Sequence, residues 1–201
     1  MKTMWNEKFS RDGYFFGTNP NAYIAKNSTL FKPKSSVLCL GEGEGRNALF
    51  LAKNNFDVTA IDASDVGLQK AKELAKDNNC NIETKQLDLN DWEPKEKSFD
   101  AIVCSYLHLE EPLRSQTFKS IIHALMFDGI FIGEFFSHDQ LNFNSGGPKN
   151  KSLLYDLDSM KSILENENIK IIELTQELTN LNEGKGHQGE ASVIRVCFKK
   201  V

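Results

Sequence analysis

Residues 37–52, VLCLGEGEGRNALFLA, constrain this chain more than any other stretch. Val37 to Leu40 read as a short buried strand, Gly41, Gly43 and Gly45 as a turn, and the residues from Arg46 onward as a helix. Glycines at alternate positions let the backbone turn sharply and leave main chain bare where a Cβ would stand in a ligand's way. The helix behind the turn directs its unpaired N–H groups and the positive end of its dipole to the same spot. Strand, turn and helix together predict a ligand site that welcomes an anionic or strongly polar group.

The rest of the chain extends this unit. Aromatic residues crowd the first 34 positions (Trp5, Phe9, Tyr14, Phe15, Phe16, Tyr23, Phe31), broken by Gly13, Gly17 and Pro20. Helical turns are expected at residues 4–9 and 21–27, in an arm that packs its aromatics on the body and closes over a site. Strands are expected at residues 36–40, 57–61, 81–87, 99–105, 130–136, 169–179 and 191–198. Helices fall between them at residues 46–54, 64–78, from Pro112 to the Asp128-Gly129 stop, and at 157–166. Loops are expected at residues 137–151 and 180–190, and both would border the site. Runs such as VLCL and AIVC are apolar throughout, as strands buried on both faces should be. Strand–helix alternation through the fifth strand means a doubly wound, mostly parallel α/β sheet. The last two strands follow each other without a helix, so they form a hairpin and the seventh runs antiparallel. No internal repeat or boundary interrupts the 201 residues, which read as one domain.

Charge narrows the partners. The net charge is −4 with no dense Lys/Arg block, a poor fit to phosphate-gripping nucleic-acid binding. Cys39, Cys80, Cys104 and Cys197 are far apart and mostly in apolar runs, the pattern of small buried side chains in a reducing compartment rather than of disulfides or a metal site. The N-terminus lacks the apolar core of a signal peptide, and no apolar run reaches the ~18 residues of a membrane span. A cytoplasmic protein without membrane or nucleic-acid partners, acting on a small molecule as a monomer or simple homodimer, is the expectation.

In an open α/β sheet, ligands sit beyond the C-terminal strand ends where strand order reverses. The first strand lies beside that point. Asp62, about 20 residues after the glycine turn, is placed either to accept hydrogen bonds from two ribose hydroxyls or to cap the next helix. Asp88 either accepts from an adenine amino group or is a solvated turn residue. Glu42 sits among the glycines, where a carboxylate repels a pyrophosphate and attracts an ammonium or sulfonium. That argues against NAD or FAD.

These residues resemble a known family. GEGEGRNALFLA, DVTAIDAS, QLDLNDW, FDAIVCSYLHL and the strand behind Asp128-Gly129 match, in order, the motifs of class I S-adenosylmethionine-dependent methyltransferases. The terminal hairpin matches too, because in that fold the seventh strand inserts antiparallel between the fifth and sixth, giving the order 3-2-1-4-5-7-6. WNEKF, YFFGTNP, the GRN after the turn and the late GHQGEA are similar to the small tellurite-resistance group, distantly akin to thiopurine methyltransferase. Glu42 stands where the commoner turn has cysteine or alanine.

The resemblance implies S-adenosyl-L-methionine as cofactor, leaving as S-adenosyl-L-homocysteine. It implies contacts of Gly41 and Gly43 with the methionine part, Asp62 with the ribose beside Ala63 and Ser64, and Asp88 and Leu89 with the adenine. Cys104 and Ser105 would touch the methionyl part, while Arg46 and Asn47 face the turn and the arm. Methyl transfer is an in-line displacement helped mostly by alignment and exclusion of water. A thiolate or a chalcogen oxyanion needs no base for it. Groups able to act on the acceptor are His108, His187, Glu134, His138 and Glu190, with Tyr14, Phe15, Phe16 and Tyr106 as aromatic walls for a sulfonium. A non-catalytic cofactor-binding sensor and a nicotinamide oxidoreductase are the rival readings.

Overall fold

The computed structural model describes residues 2–201. Two short helices lead, α1 (Lys2–Phe9) and α2 (Ala22–Asn27). Alternating elements follow: β1 (Ser36–Leu40), α3 (Arg46–Lys53), β2 (Asp57–Asp62), α4 (Asp65–Asp77), β3 (Glu83–Gln86), β4 (Phe99–Ser105), α5 (Leu113–Ala124) and β5 (Leu125–Phe136). The chain ends in α6 (Leu157–Leu164), β6 (Ile169–Glu183) and β7 (His187–Lys200). The seven strands form one sheet of order β3-β2-β1-β4-β5-β7-β6. β1 pairs parallel with β2 and β4, whereas β7 runs antiparallel to both β5 and β6, as the motif order implies.

Side-chain alternation explains the uniformly apolar strands. Val37 and Cys39 of β1, with Ala101 and Val103 of β4, face a core completed by Ile24, Ala48, Leu51 and Leu68 of α2, α3 and α4. Leu38 and Leu40, with Ile102 and Cys104, face the opposite core under α5 and α6, where Phe118, Ile121 and Met160 meet Phe131 and Phe198. Each strand residue is therefore buried whichever way it points. The helices between are amphipathic and capped: Ser64 Oγ accepts from Gly67 N at 3.0 Å to start α4, and Asp156 Oδ1 accepts from Ser159 N at 2.9 Å to start α6.

Two boundaries differ from expectation. α5 ends at Ala124, not at Asp128-Gly129, because residues from Leu125 onward pair with β4. The Asp128-Gly129 kink, with Asp128 at φ 63°, lies inside β5, where the pairing register slips between Phe99 and Ala101. The expected loop at residues 180–190 is also mostly strand. β6 and β7 stay paired from Ile169↔Lys200 to Glu183↔His187, and the reversal takes only Gly184, Lys185 and Gly186. The polar composition of that segment reflects an edge hairpin exposed on one side, not a mobile loop. Its tip places Glu183 and His187 over the C-terminal ends of β1 and β4. Among the described residues, no helix is long and apolar enough to cross a membrane.

Candidate functional site

The glycine turn is set by packing as much as by access. Gly41, Gly43 and Gly45 all have positive φ (66°, 62° and 94°). A Cβ on Gly43 would meet Phe9 Cζ at 2.9 Å, and one on Gly45 would meet Ala71 Cβ of α4 at 2.6 Å. The space opposite those two glycines is thus filled by the chain itself. The N-terminus of α3 is also partly satisfied internally. Glu42 Oε1 accepts from Ala48 N at 2.8 Å, and Glu42 Oε2 lies 3.4 Å from Asn47 Nδ2. The helix start holds the chain's own carboxylate, which corrects the expectation that it lies open to an anionic ligand. Burial raises the Glu42 carboxyl to about 7 despite the opposing pull of the Ala48 N–H.

Above the turn lies a cleft continuous with solvent. Its floor and one wall carry Gly41, Glu42, Gly43, Asp62, Ala63, Asp88, Leu89 and Ser105, with Ile61, Leu87 and Leu107 as apolar walls. Asp62 Oδ2 accepts from Gly43 N at 2.8 Å and its Oδ1 from Ser64 N at 2.7 Å, so the acid braces the turn as well as lining the cleft. Burial raises its pKa against those bonds. Asp88 starts the 3-10 turn Leu89–Asp91 by accepting from Asn90 N at 3.0 Å, a bond that lowers its pKa.

Three expected contacts lie outside the lining. Cys104 is packed in the core beneath β4, where burial holds its thiol neutral. Ser64 is fully buried as the α4 cap and donates to Asn6 Oδ1 at 2.6 Å. Asn47 stands behind the turn, donating to Ser105 Oγ at 3.1 Å and accepting from Asn21 N at 2.9 Å.

The other half of the cleft is aromatic and charged. Trp5, Phe9 and Phe16 reach in from the arm, and Tyr106, His108, His187 and Arg46 complete the wall. Tyr14 and Phe15 do not line it; Phe15 N instead donates to Glu44 Oε2 at 2.7 Å, tying the arm down. His108 lies flat between Trp5 and Phe136, each 6.2 Å away, and burial drops its pKa to about 3, so it is a neutral aromatic wall. Tyr106 adopts φ 52°, a strained conformation for a non-glycine residue. Its hydroxyl donates to Glu134 Oε1 at 2.7 Å. Glu134 is buried inside β5 and paired with Arg195 Nε at 2.8 Å, so it supports the cleft from beneath. His138 sits beside Asp156 and Glu190 is exposed, both away from the lining.

His187 is buried rather than a loop histidine. Its Nδ1 lies 3.1 Å from Glu183 Oε2, the oxygen that also accepts from Arg46 Nη2 at 3.0 Å. Burial lowers the His187 pKa, outweighing the pull of Glu183. Burial pushes Glu183 up, but His187 and Arg46 together hold it lowered. Glu183 is therefore charged and His187 neutral, with Nδ1 donating and Nε2 bare. Arg46 is 7% exposed, and its Nη1 is buried without a partner among the described residues. Sequence reasoning missed Glu183, Asn21, Trp5 and Phe9 as site residues. A Glu four residues before a Gly-flanked His was the one local signal for Glu183.

The sequence model of a family described as a methyltransferase domain matches residues 37–129. The chain is 37% identical over 71 residues to ubiquinone biosynthesis O-methyltransferase of Rickettsia akari, and 28% identical over 143 residues to glycine N-methyltransferase of Rattus norvegicus. Those stretches are 35% and 63% of this chain, but only 28% and 49% of those relatives, so the chain spans about half their length or less. Among solved structures, TehB from Haemophilus influenzae superposes over 100% of this chain and 67% of its own, with TM-score 0.72 and 18% identity. Residues 37–129 thus match a methyltransferase-domain family, and the whole chain takes the fold of TehB and of S-adenosylmethionine-dependent methyltransferases of known structure.

Proposed function

We propose that the chain transfers a methyl group from S-adenosylmethionine to a small-molecule acceptor bearing an anionic or lone-pair-rich atom, such as a thiol or a chalcogen oxyanion. The residues present fit the cofactor. Asp62 would hold the ribose hydroxyls; Asp88, with Ile61, Leu89 and Leu107, would hold the adenine; Gly41, Gly43 and Ser105 would flank the methionyl part. Arg46 beside the turn is already paired with Glu183, and Glu42 within it would repel a pyrophosphate, which disfavours a dinucleotide. When bound, the cofactor supplies an electrophilic methyl on a sulfonium.

The observation that carries the acceptor reading is that Arg46, whose Nη1 is buried and unpartnered among the described residues, and His187 share Glu183 Oε2 and both line the cleft. A buried donor without a partner costs about 1–3 kcal/mol, more when charged, so an arriving anion gains by satisfying it. Arg46 would anchor the acceptor. Neutral His187 would take the acceptor's proton at Nε2 while Glu183 holds Nδ1–H. Trp5, Phe16 and His108 would exclude water. Because the His187 pKa is depressed below its ordinary 6.5, the base form persists at neutral pH and is lost only as pH falls below that value.

The test supplies methyl-labelled cofactor with a panel of thiols, selenite, tellurite and small amines. Label is expected in a thiol or anionic acceptor, and with an acceptor that must lose a proton it is lost, with cofactor binding retained, in His187→Gln. Cofactor binding with no label in any acceptor would favour a sensor instead.

A further inference from the structure

The arm does more than cover the cleft, because one of its side chains joins the two buried acids below it. Asn21 is fully buried. Its Nδ2 donates to Glu134 Oε1 at 2.7 Å and to Glu183 Oε1 at 3.1 Å, and lies 3.3 Å from the Tyr106 hydroxyl. Glu134 and Glu183 sit on different strands, each with its own guanidinium, Arg195 and Arg46. The carboxamide has two N–H groups and no charge, so it satisfies a lone pair on each acid without altering the charge balance. Its backbone and Oδ1 are engaged elsewhere: Asn21 N donates to Asn47 Oδ1, and Asn21 Oδ1 accepts from Ile24 N at 3.0 Å to start α2. The amide therefore has its oxygen fixed and both hydrogens aimed at the acids.

We infer that Asn21 is a positioning residue: by holding Glu183 Oε1 from the arm, it turns Glu183 Oε2 onto His187 Nδ1 and so keeps His187 Nε2 bare toward the acceptor. Docking of the arm and readiness of His187 are one event, and Asn21 shares Glu134 Oε1 with the Tyr106 hydroxyl that donates to it. This rests on the role proposed above for His187. The groups facing His187 are Glu183 on β6, Arg46 on α3, Tyr106 after β4, and Lys8 and His108 across the cleft; Asn21 contacts two of these directly.

Asn21→Asp separates this role from helix capping, since an Asp still accepts from Ile24 N but donates nothing to the acids. Asn21→Ser also caps but is too short to reach them, and is read the same way if a third carboxylate unfolds the site. The measurement is the nitrogen chemical shifts of His187 in histidine-labelled full chain, assigned by the loss of its signals in His187→Gln, with circular dichroism and calorimetric titration of S-adenosylhomocysteine alongside. In the wild-type chain, His187 carries its proton on Nδ1 alone. In the Asn21 variants the fold and cofactor binding are retained, while His187 shifts to mixed tautomers or protonates at higher pH. With a working acceptor, kcat falls by about tenfold or more while the cofactor dissociation constant stays within about threefold. Unchanged His187 shifts in both variants would overturn the inference and leave Asn21 as a cap. If His187→Gln methylates as well as wild type, the functional reading fails instead, and the tautomer result still judges Asn21.

Discussion

Glu183 and His187, four residues apart, face each other across a three-residue reversal, with Glu183 Oε2 3.1 Å from His187 Nδ1. The same oxygen accepts from Arg46 on α3, so the tip of an edge hairpin is fastened to the helix that follows the glycine turn. A contact closed across 137 residues of sequence thereby joins the hairpin wall of the cleft to the wall that carries the glycine turn.

That pairing is energetically exposed. Both side chains of the Arg46–Glu183 pair are about 8% accessible, so removing one partner strands a buried charge. Glu183→Gln should cost about 3 kcal/mol or more in urea denaturation. Replacing both members, as in Arg46→Met with Glu183→Gln, should cost less than the sum of the single changes. Strictly additive losses would show that the two residues do not share one buried pair.

Glu42 gives a pH signature. Its carboxyl is raised from an ordinary 4.5 to about 7, so the folded state binds more protons than the unfolded one between those values. Its contribution to stability therefore falls as pH rises from about 4.5 to about 7. Glu42→Gln should melt higher than wild type above pH 7, with the gap closing as pH drops to 4.5. A melting difference independent of pH would contradict the raised pKa.

Two glycines with similar positive φ separate strain from crowding. Gly45 (φ 94°) and Gly189 (φ 98°) both occupy left-handed backbone, but a Cβ on Gly45 meets the Cβ and Cα of Ala71 at 2.6 and 2.7 Å, while one on Gly189 meets nothing within 4 Å. Gly189→Ala should cost about 1–2 kcal/mol, the strain alone. Gly45→Ala should cost clearly more, since α3 and α4 must part. Equal losses in thermal denaturation would place the close approach of α4 in doubt.

Much of the fold was legible because the signals were local. The apolar runs of β1 and β4, the glycine turn and the stripe of Leu68, Ala71 and Leu74 each declare their element within a few residues. Where pairing overrides local chemistry, the reading failed. Asp128-Gly129 looks like a helix stop but is a kink within β5, and NEGKGHQGE looks like a loop but is mostly ladder. The cleft divides the same way. Asp62, Asp88 and Ser105 follow from strand ends, whereas Cys104, one residue short of its strand's end, turns into the core by the period-two rule. Asn21 and Glu183 lie 162 residues apart and meet only through the sheet order, which no spacing reveals.

The central claim is that this cleft holds S-adenosylmethionine on Asp62, and calorimetric titration of the full chain tests it most directly. S-adenosylmethionine and S-adenosylhomocysteine should bind one to one and NAD should not. Asp62→Ala, which frees Gly43 N and Ser64 N and removes the acid, should weaken both by about tenfold or more while circular dichroism stays unchanged. Tight NAD binding without S-adenosylmethionine binding, or full affinity in Asp62→Ala, would contradict the account.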